Sequence, residues 1–152
     1  MEVISFANDY ASGTKRLLAF VIDRLLLHVV FSVLLFNWWG MPLGWSWRHL
    51  SFGAIHLGLH FWLYNFFVEA LIVFYYSIME SSKYQATLGK LALGIKVTDT
   101  NQRPIDFSKA LLRNLSKYLS TLIFYIGYLL IIFDDRKQGL HDKIADTLVV
   151  NQ

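Results

Sequence analysis

From Leu25 to Met79, a run of 55 residues, only Arg48 and Glu69 carry a formal charge. Such a run cannot coat a water-soluble surface, whose exposed positions are held mainly by Lys, Glu, Arg and Asp. The whole chain agrees. Of its 152 residues 55% are hydrophobic and only 16% charged, where an ordinary soluble domain has about 25% charged. Disorder and a collagen-like repeat are excluded, and the lack of cysteine removes a disulfide scaffold and thiolate chemistry. The length allows one compact unit rather than two, and a membrane protein is the class that remains.

A helix crossing a hydrocarbon core of about 30 Å needs about 20 mostly apolar residues. Residues 17–36 qualify, with 16 apolar residues among 20; the stretch is too long and too embedded in polar positions to be a cleavable signal peptide. Residues 52–80 form a second candidate, with Ser51 as a possible N-cap. The third, 115–133, reaches span length only by burying or snorkelling Lys117; it spans, or dips in and returns. Between the first two stand Trp38, Trp39, Trp45 and Trp47 beside Gly40, Pro42 and Gly44, with Trp62 following. Indole rings favour the headgroup level, so this connection is expected along an interface.

Residues 81–117 hold seven basic side chains against Asp99 and Asp106. The positive-inside tendency places segment 81–114 in the cytoplasm, and Lys15 with Arg16 puts the N-terminus on the same side. Within it, GIKVTD (94–99) alternates as a strand, Thr100 to Arg103 reads as a turn of a β-hairpin, and Asp106 can cap an amphipathic helix. That helix aligns Lys109, Arg113 and Lys117 on one face, a stripe suited to lipid phosphates or to a ligand. The expected fold is therefore an all-α membrane protein: a small bundle of two to three, at most four, transmembrane helices, plus a cytoplasmic β-hairpin and amphipathic helix.

Asp23 and Arg24 stand in the middle of an apolar helix, where each charge costs on the order of 3 kcal/mol. Such residues need partners or a task. Arg16 projects on nearly the same face as Asp23, two turns earlier, while Arg24 faces elsewhere and can pair with Glu69. No catalytic set of nucleophile, base and orienter is present, and an enzyme is not expected. His56 and His60 have chelating spacing but lack the adjacent glutamate and third ligand of a zinc motif, and His28 stands alone, so no metal or other cofactor is expected. QATLGKLALG, with Gly89 and Lys90, lacks the GxxxxGK[ST] phosphate-loop pattern.

Three blocks, KRLLAFVIDRLLL, SSKYQATLGKLALGIKVTDTNQRPIDFSKALLRNLSK and KQGLHDKIADTLVV, occur in an order that resembles the RDD family of integral membrane proteins, named for one arginine and two aspartates. The resemblance runs over residues 10–150. It implies a membrane domain with a suspected part in transport of ions or other ligands, and it carries Arg16, Asp23 and Asp142 over as ligand-binding candidates. Asp142 enters on the resemblance alone. Arg24, Glu69, Lys90, Arg113 and His141 are secondary candidates.

Two functions of different class follow as expectations. In the first, an oligomer in the inner plasma membrane exchanges cations or protons through Asp23. In the second, the chain is a non-transporting scaffold or accessory subunit whose basic segment holds anionic lipid or a partner membrane protein. The expected partners are the bilayer, anionic lipids and a second copy or another membrane protein; nucleic acid is not among them.

Overall fold

The computed structural model of the chain describes residues 10–39, 54–123 and 126–152. In chain order these form α1 (Gly13–Trp39), α2 (Ala54–Ser81), α3 (Leu88–Ala92), β1 (Ile95–Asp99), α4 (Phe107–Leu122), α5 (Ile126–Phe133), α6 (Leu140–Ile144) and β2 (Thr147–Asn151). The protein is mostly helical, with one small antiparallel sheet. Trp45 and Trp47, with the breakers around them, lie outside the described residues, as do the side chains of Trp38 and Trp39.

α1 and α2 carry the first two apolar stretches, in 27 and 28 residues. Among the described residues no single helix is long and apolar enough to cross a membrane by itself. The third stretch is not one helix. The amphipathic helix expected after Asp106 runs on as α4 to Leu122, and the segments Phe107–Leu122 and Gly127–Phe133 are bent by 98°, a pair whose combined length and composition suit a broken span or a re-entrant loop. Asp106 caps α4 as its position predicts, accepting the Lys109 N–H at 2.7 Å.

The expected β-hairpin is corrected. β1 forms, but its partner is the C-terminal β2, paired from Ile95↔Asn151 to Asp99↔Thr147. The turn after β1 leads elsewhere: Asp99 Oδ1 accepts the N–H groups of Asn101 and Arg103, and the chain passes straight to the cap of α4. Each ribbon edge meets a further segment of the chain, which pairs some of its ladder groups. Val97 donates its N–H to Gln85 at 2.7 Å on one edge, and Ala11 donates to Val149 at 2.8 Å on the other. Ile95, Val97 and Val149 pack with Ala11, Ala19, Ile105 and Ala110 as the apolar core.

Around that core the helices are polar inside and apolar outside. The buried positions of α4 are Ala110, Arg113, Asn114, Ser116 and Ser120, while Leu112, Leu115, Leu119 and Leu122 are exposed, the last at 77%. α1 buries Ala19 and Asp23 and exposes Leu17, Leu18, Val21 and Leu25. Arg113 of the stripe Lys109–Arg113–Lys117 is thus buried and the other two are half-buried, the reverse of an amphipathic helix at a soluble surface.

The chain forms two compact units, Met1–Asp23 with Val73–Gln152, and Arg24–Ile72. The sheet, α3 to α6 and Asp23 belong to the first. The second contains the pair Arg24–Glu69, joined at 2.7 and 3.2 Å with each side chain more than one-third exposed.

Candidate functional site

Asp23 lies on α1, 1% exposed, with both oxygens engaged. Oδ1 accepts the Gly89 N–H at 2.7 Å and the Tyr75 hydroxyl at 3.3 Å; Oδ2 accepts the Thr87 hydroxyl at 2.6 Å. α3 has Thr87 as its N-cap residue, but the Thr87 side chain makes no capping bond. Asp23 takes that place from a different helix, meeting the Gly89 N–H of the first turn with a negative charge, while the Leu88 N–H donates to the Tyr75 hydroxyl. The close approach requires glycine at 89, because a Cβ there would lie 2.2 Å from the Ala19 carbonyl oxygen. The end of α3 also needs glycine: Gly94 adopts a left-handed φ of +62° and donates to the Leu91 carbonyl.

Asp142 occupies the N3 position of α6 and is fully buried. Its Oδ2 accepts Arg16 Nη1 at 2.7 Å and the Gly139 N–H at 3.0 Å, while Oδ1 accepts Arg113 Nε at 2.9 Å. Arg16 also reaches the Ala11 and Val149 carbonyls, so one guanidinium joins the start of α1, the sheet and α6. Arg113 continues the network. Its Nη1 stands 2.7 Å from Glu80 Oε1 as an ion pair without hydrogen-bond geometry, and Glu80 also binds the Lys90 ammonium. Asn114 closes it, donating to Glu80 Oε2 at 3.1 Å and accepting Lys117 Nζ at 2.6 Å.

Burial alone would raise the Asp142 carboxyl, but Arg113 and Arg16 hold it well below the usual carboxylate range. Burial lowers Lys90, with Glu80 pulling the other way. His141 lies beside this network, its Nε2 3.6 Å from Asp142 Oδ1 and its ring 5.1 Å from that of Tyr128. Burial, reinforced by Arg113, Lys117 and Arg16, drives the imidazole down to about 3 against the pull of Asp142, so it is neutral at pH 7. Its Nδ1 is buried without a hydrogen-bond partner.

The structure therefore joins Arg16, Asp142, Arg113 and Lys90 in one network with His141 at its side, and sets Asp23 in a separate hydrogen-bonded set. Arg24 and Glu69 pair in the other unit. Sequence reasoning missed Glu80, Asn114, Thr87 and Tyr75; Glu80 falls at the edge of the apolar run, and its partners become visible only on folding. No group of three or more metal-ligating side chains occurs among the described residues. His28 is exposed, and the side chains of His56 and His60 lie outside the described part. A surface depression on the ribbon, lined by Lys96, Thr98, Gln102, Val150 and Asn151, shares no residue with either set.

Comparison with known proteins bears on the same residues. The chain is 42% identical to the uncharacterized protein YxaI of Bacillus subtilis over 51% of each chain, so it spans about half of that relative's length. It is 30% identical to the uncharacterized membrane protein YteJ of the same organism, over 99% of this chain and 87% of YteJ. It is also 30% identical to a proline-rich antigen homolog of Mycobacterium tuberculosis, over 59% of this chain and 37% of that protein. No solved structure matches. The model of the RDD family matches residues 10–146, a range that takes in Arg16, Asp23 and Asp142, and the chain belongs to that family.

Proposed function

We infer that the chain is a membrane-embedded scaffold or accessory subunit, in which the arginine and two aspartates fix the packing and do not carry an ion. The observation behind this reading is the engagement of both oxygens of each carboxylate by groups of the chain. Asp23 receives three hydrogen bonds and Asp142 three, all from the protein itself. A cation at either site would have to displace charge-assisted bonds worth about 1.5–3 kcal/mol each.

Membrane placement is supported by the inside-out helices. An exposed leucine row on α4 and another on α1 would be a large unfavourable patch in water and an ordinary one in lipid. The relative YteJ is named a membrane protein, which agrees. In this reading the apolar stretches of α1 and α2, neither of which is a sufficient span alone, are embedded in the bilayer, the α4–α5 bend enters and returns, and the N-terminus with 81–114 faces the cytoplasm.

Purified protein in liposomes loaded with a pH-sensitive dye tests the proposal against transport. The expected result is no cation-dependent pH change with the wild type, and a melting temperature lowered in Asp23→Asn by the equivalent of about 2 kcal/mol, since a charged acceptor becomes neutral. Cation-driven flux that Asp23→Asn abolishes at unchanged stability would establish transport instead.

A further inference from the structure

Three stretches that are far apart in the chain meet in one ribbon. β1 and β2 pair over five residues, Tyr10 bridges to Val150, and Ala11 donates its N–H to the Val149 carbonyl. Neighbouring strands lie about 4.8 Å apart, whereas a hydrocarbon core is about 30 Å thick. Residues 10–11, 95–99 and 147–151 therefore share one side of a bilayer that holds the chain. Lys96 and Asp99 stand in the ribbon, and Lys15 donates to Asn151 Oδ1 at 2.8 Å, charges that belong at an aqueous face.

Whatever leaves that side after β1 must come back before β2. The outgoing arm is α4, 16 residues or about 24 Å, and the returning arm is α5, 8 residues or about 12 Å. The two are bent by 98°, so their outer ends lie about 25 Å apart, short of a core of about 30 Å. With those ends at one level the tip stands only about 11 Å from the line that joins them, less than half the core. Polar groups mark both ends: Asp106 caps α4, and Asp134, at the exit of α5, meets Lys143 of α6 at 2.5 Å. Near the tip the arms touch, the Tyr128 hydroxyl donating to the Lys117 carbonyl at 3.5 Å, and a Cβ on Gly127 would lie 2.5 Å from Ser120 Oγ. Their outward side chains are apolar, with Leu122 77% and Ile132 64% exposed. We propose that residues 107–133 form a hairpin that enters the cytoplasmic leaflet alone, with acyl chains of that leaflet against its outward leucines, and that the C-terminal strand lies in the cytoplasm with the N-terminus. The inference rests on the membrane placement proposed above and adds the depth of the hairpin and the side of the C-terminus.

The chain has no cysteine, so a single introduced thiol reports its own position. Arg103→Cys, Arg136→Cys, Gln152→Cys and Leu122→Cys, all at exposed positions, are treated with a membrane-impermeant maleimide in sealed vesicles of either orientation. The first three should react when the cytoplasmic face is outward and lose that labelling when it is inward. Leu122→Cys should react in neither, and only after SDS has dissolved the membrane, which shows that its thiol is intact and covered by lipid. Labelling of Arg103→Cys, Arg136→Cys or Gln152→Cys from the opposite face overturns the proposal, and so does labelling of Leu122→Cys in sealed vesicles of either kind. Sodium carbonate separates this failure from that of the membrane placement. A wild-type chain stripped from the vesicles ends both, whereas a carbonate-resistant chain with the wrong labelling ends the hairpin alone. Ion flux in the liposome assay would end the scaffold reading and leave the hairpin standing.

Discussion

Gly89 donates to Asp23 the backbone N–H that a phosphate loop would offer to a phosphate. The TLGK sequence around it has the right residue types for anion binding and the wrong spacing for a nucleotide, and the anion it meets is a side chain of its own chain. A methyl group at 89 would stand 2.2 Å from the Ala19 carbonyl oxygen and 3.0 Å from Asp23 Cγ, and the nearer of these is backbone that cannot rotate away. Gly89→Ala should therefore cost about 3 kcal/mol or more, at the upper end of overpacking effects, as read from melting in detergent. A variant as stable as the wild type would show that α3 does not sit against α1 in this way. At this scale the sequence marks Asp23 clearly, since a carboxylate in an apolar helix is conspicuous. It marks Gly89 only within a rejected phosphate-loop pattern and does not mark Thr87 or Tyr75 as partners of Asp23, because a hydrogen-bond donor looks the same whether or not folding brings it to an acid. Glu80 and Asn114 are missed for the same reason, being ordinary residues whose meaning lies in partners 34 positions apart.

The helix α4 shows what periodicity can and cannot say about an element. Its apolar and polar residues segregate onto two faces, which the sequence makes plain, and Asp106 marks where it starts. Which face turns inward depends on the solvent, and no spacing contains that information. In water the leucines would be buried; here Ser116, Ser120, Asn114 and Arg113 are. A pair of substitutions separates the two cases. Ser120 is fully buried, and a Cβ on Gly127 would come within 2.5 Å of its hydroxyl, so Ser120→Leu should cost about 2 kcal/mol or more by overpacking. Leu122→Ser, at an exposed position, should cost less than about 1 kcal/mol. Hydropathy alone predicts the opposite order, and melting of both variants in lipid nanodiscs decides between them. The strand was legible by its alternation but its partner was not, because Thr147 to Asn151 is a short β-branched stretch at the far end of the chain and nothing local pairs it with β1.

Across the whole molecule the network ties together segments that the sequence keeps far apart: Arg16 and Asp142 are 126 positions apart. The family resemblance pointed to Asp142 where composition and periodicity did not, since a short charged tail gives no sign of being buried. Its burial gives the fold a pH dependence that can be worked out. Asp142, with its folded value below the ordinary 3.8, contributes stability in full above that value and begins to lose it only as the pH falls below about 4. His141 acts in a higher window. Its folded value of about 3 lies below the 6.5 of an unperturbed imidazole, so between these limits the unfolded chain binds the extra proton and stability falls as the pH is lowered. One group contributes about 1.4 kcal/mol per pH unit in that range, which amounts to about 2 kcal/mol between pH 7 and pH 5. The wild type should therefore melt markedly lower at pH 5 than at pH 7. His141→Gln, neutral throughout, should flatten the difference, while Asp142 still carries the loss below pH 4. An equal loss in wild type and His141→Gln would mean that His141 is not held neutral in the fold, and the acid sensitivity would have to come from another group.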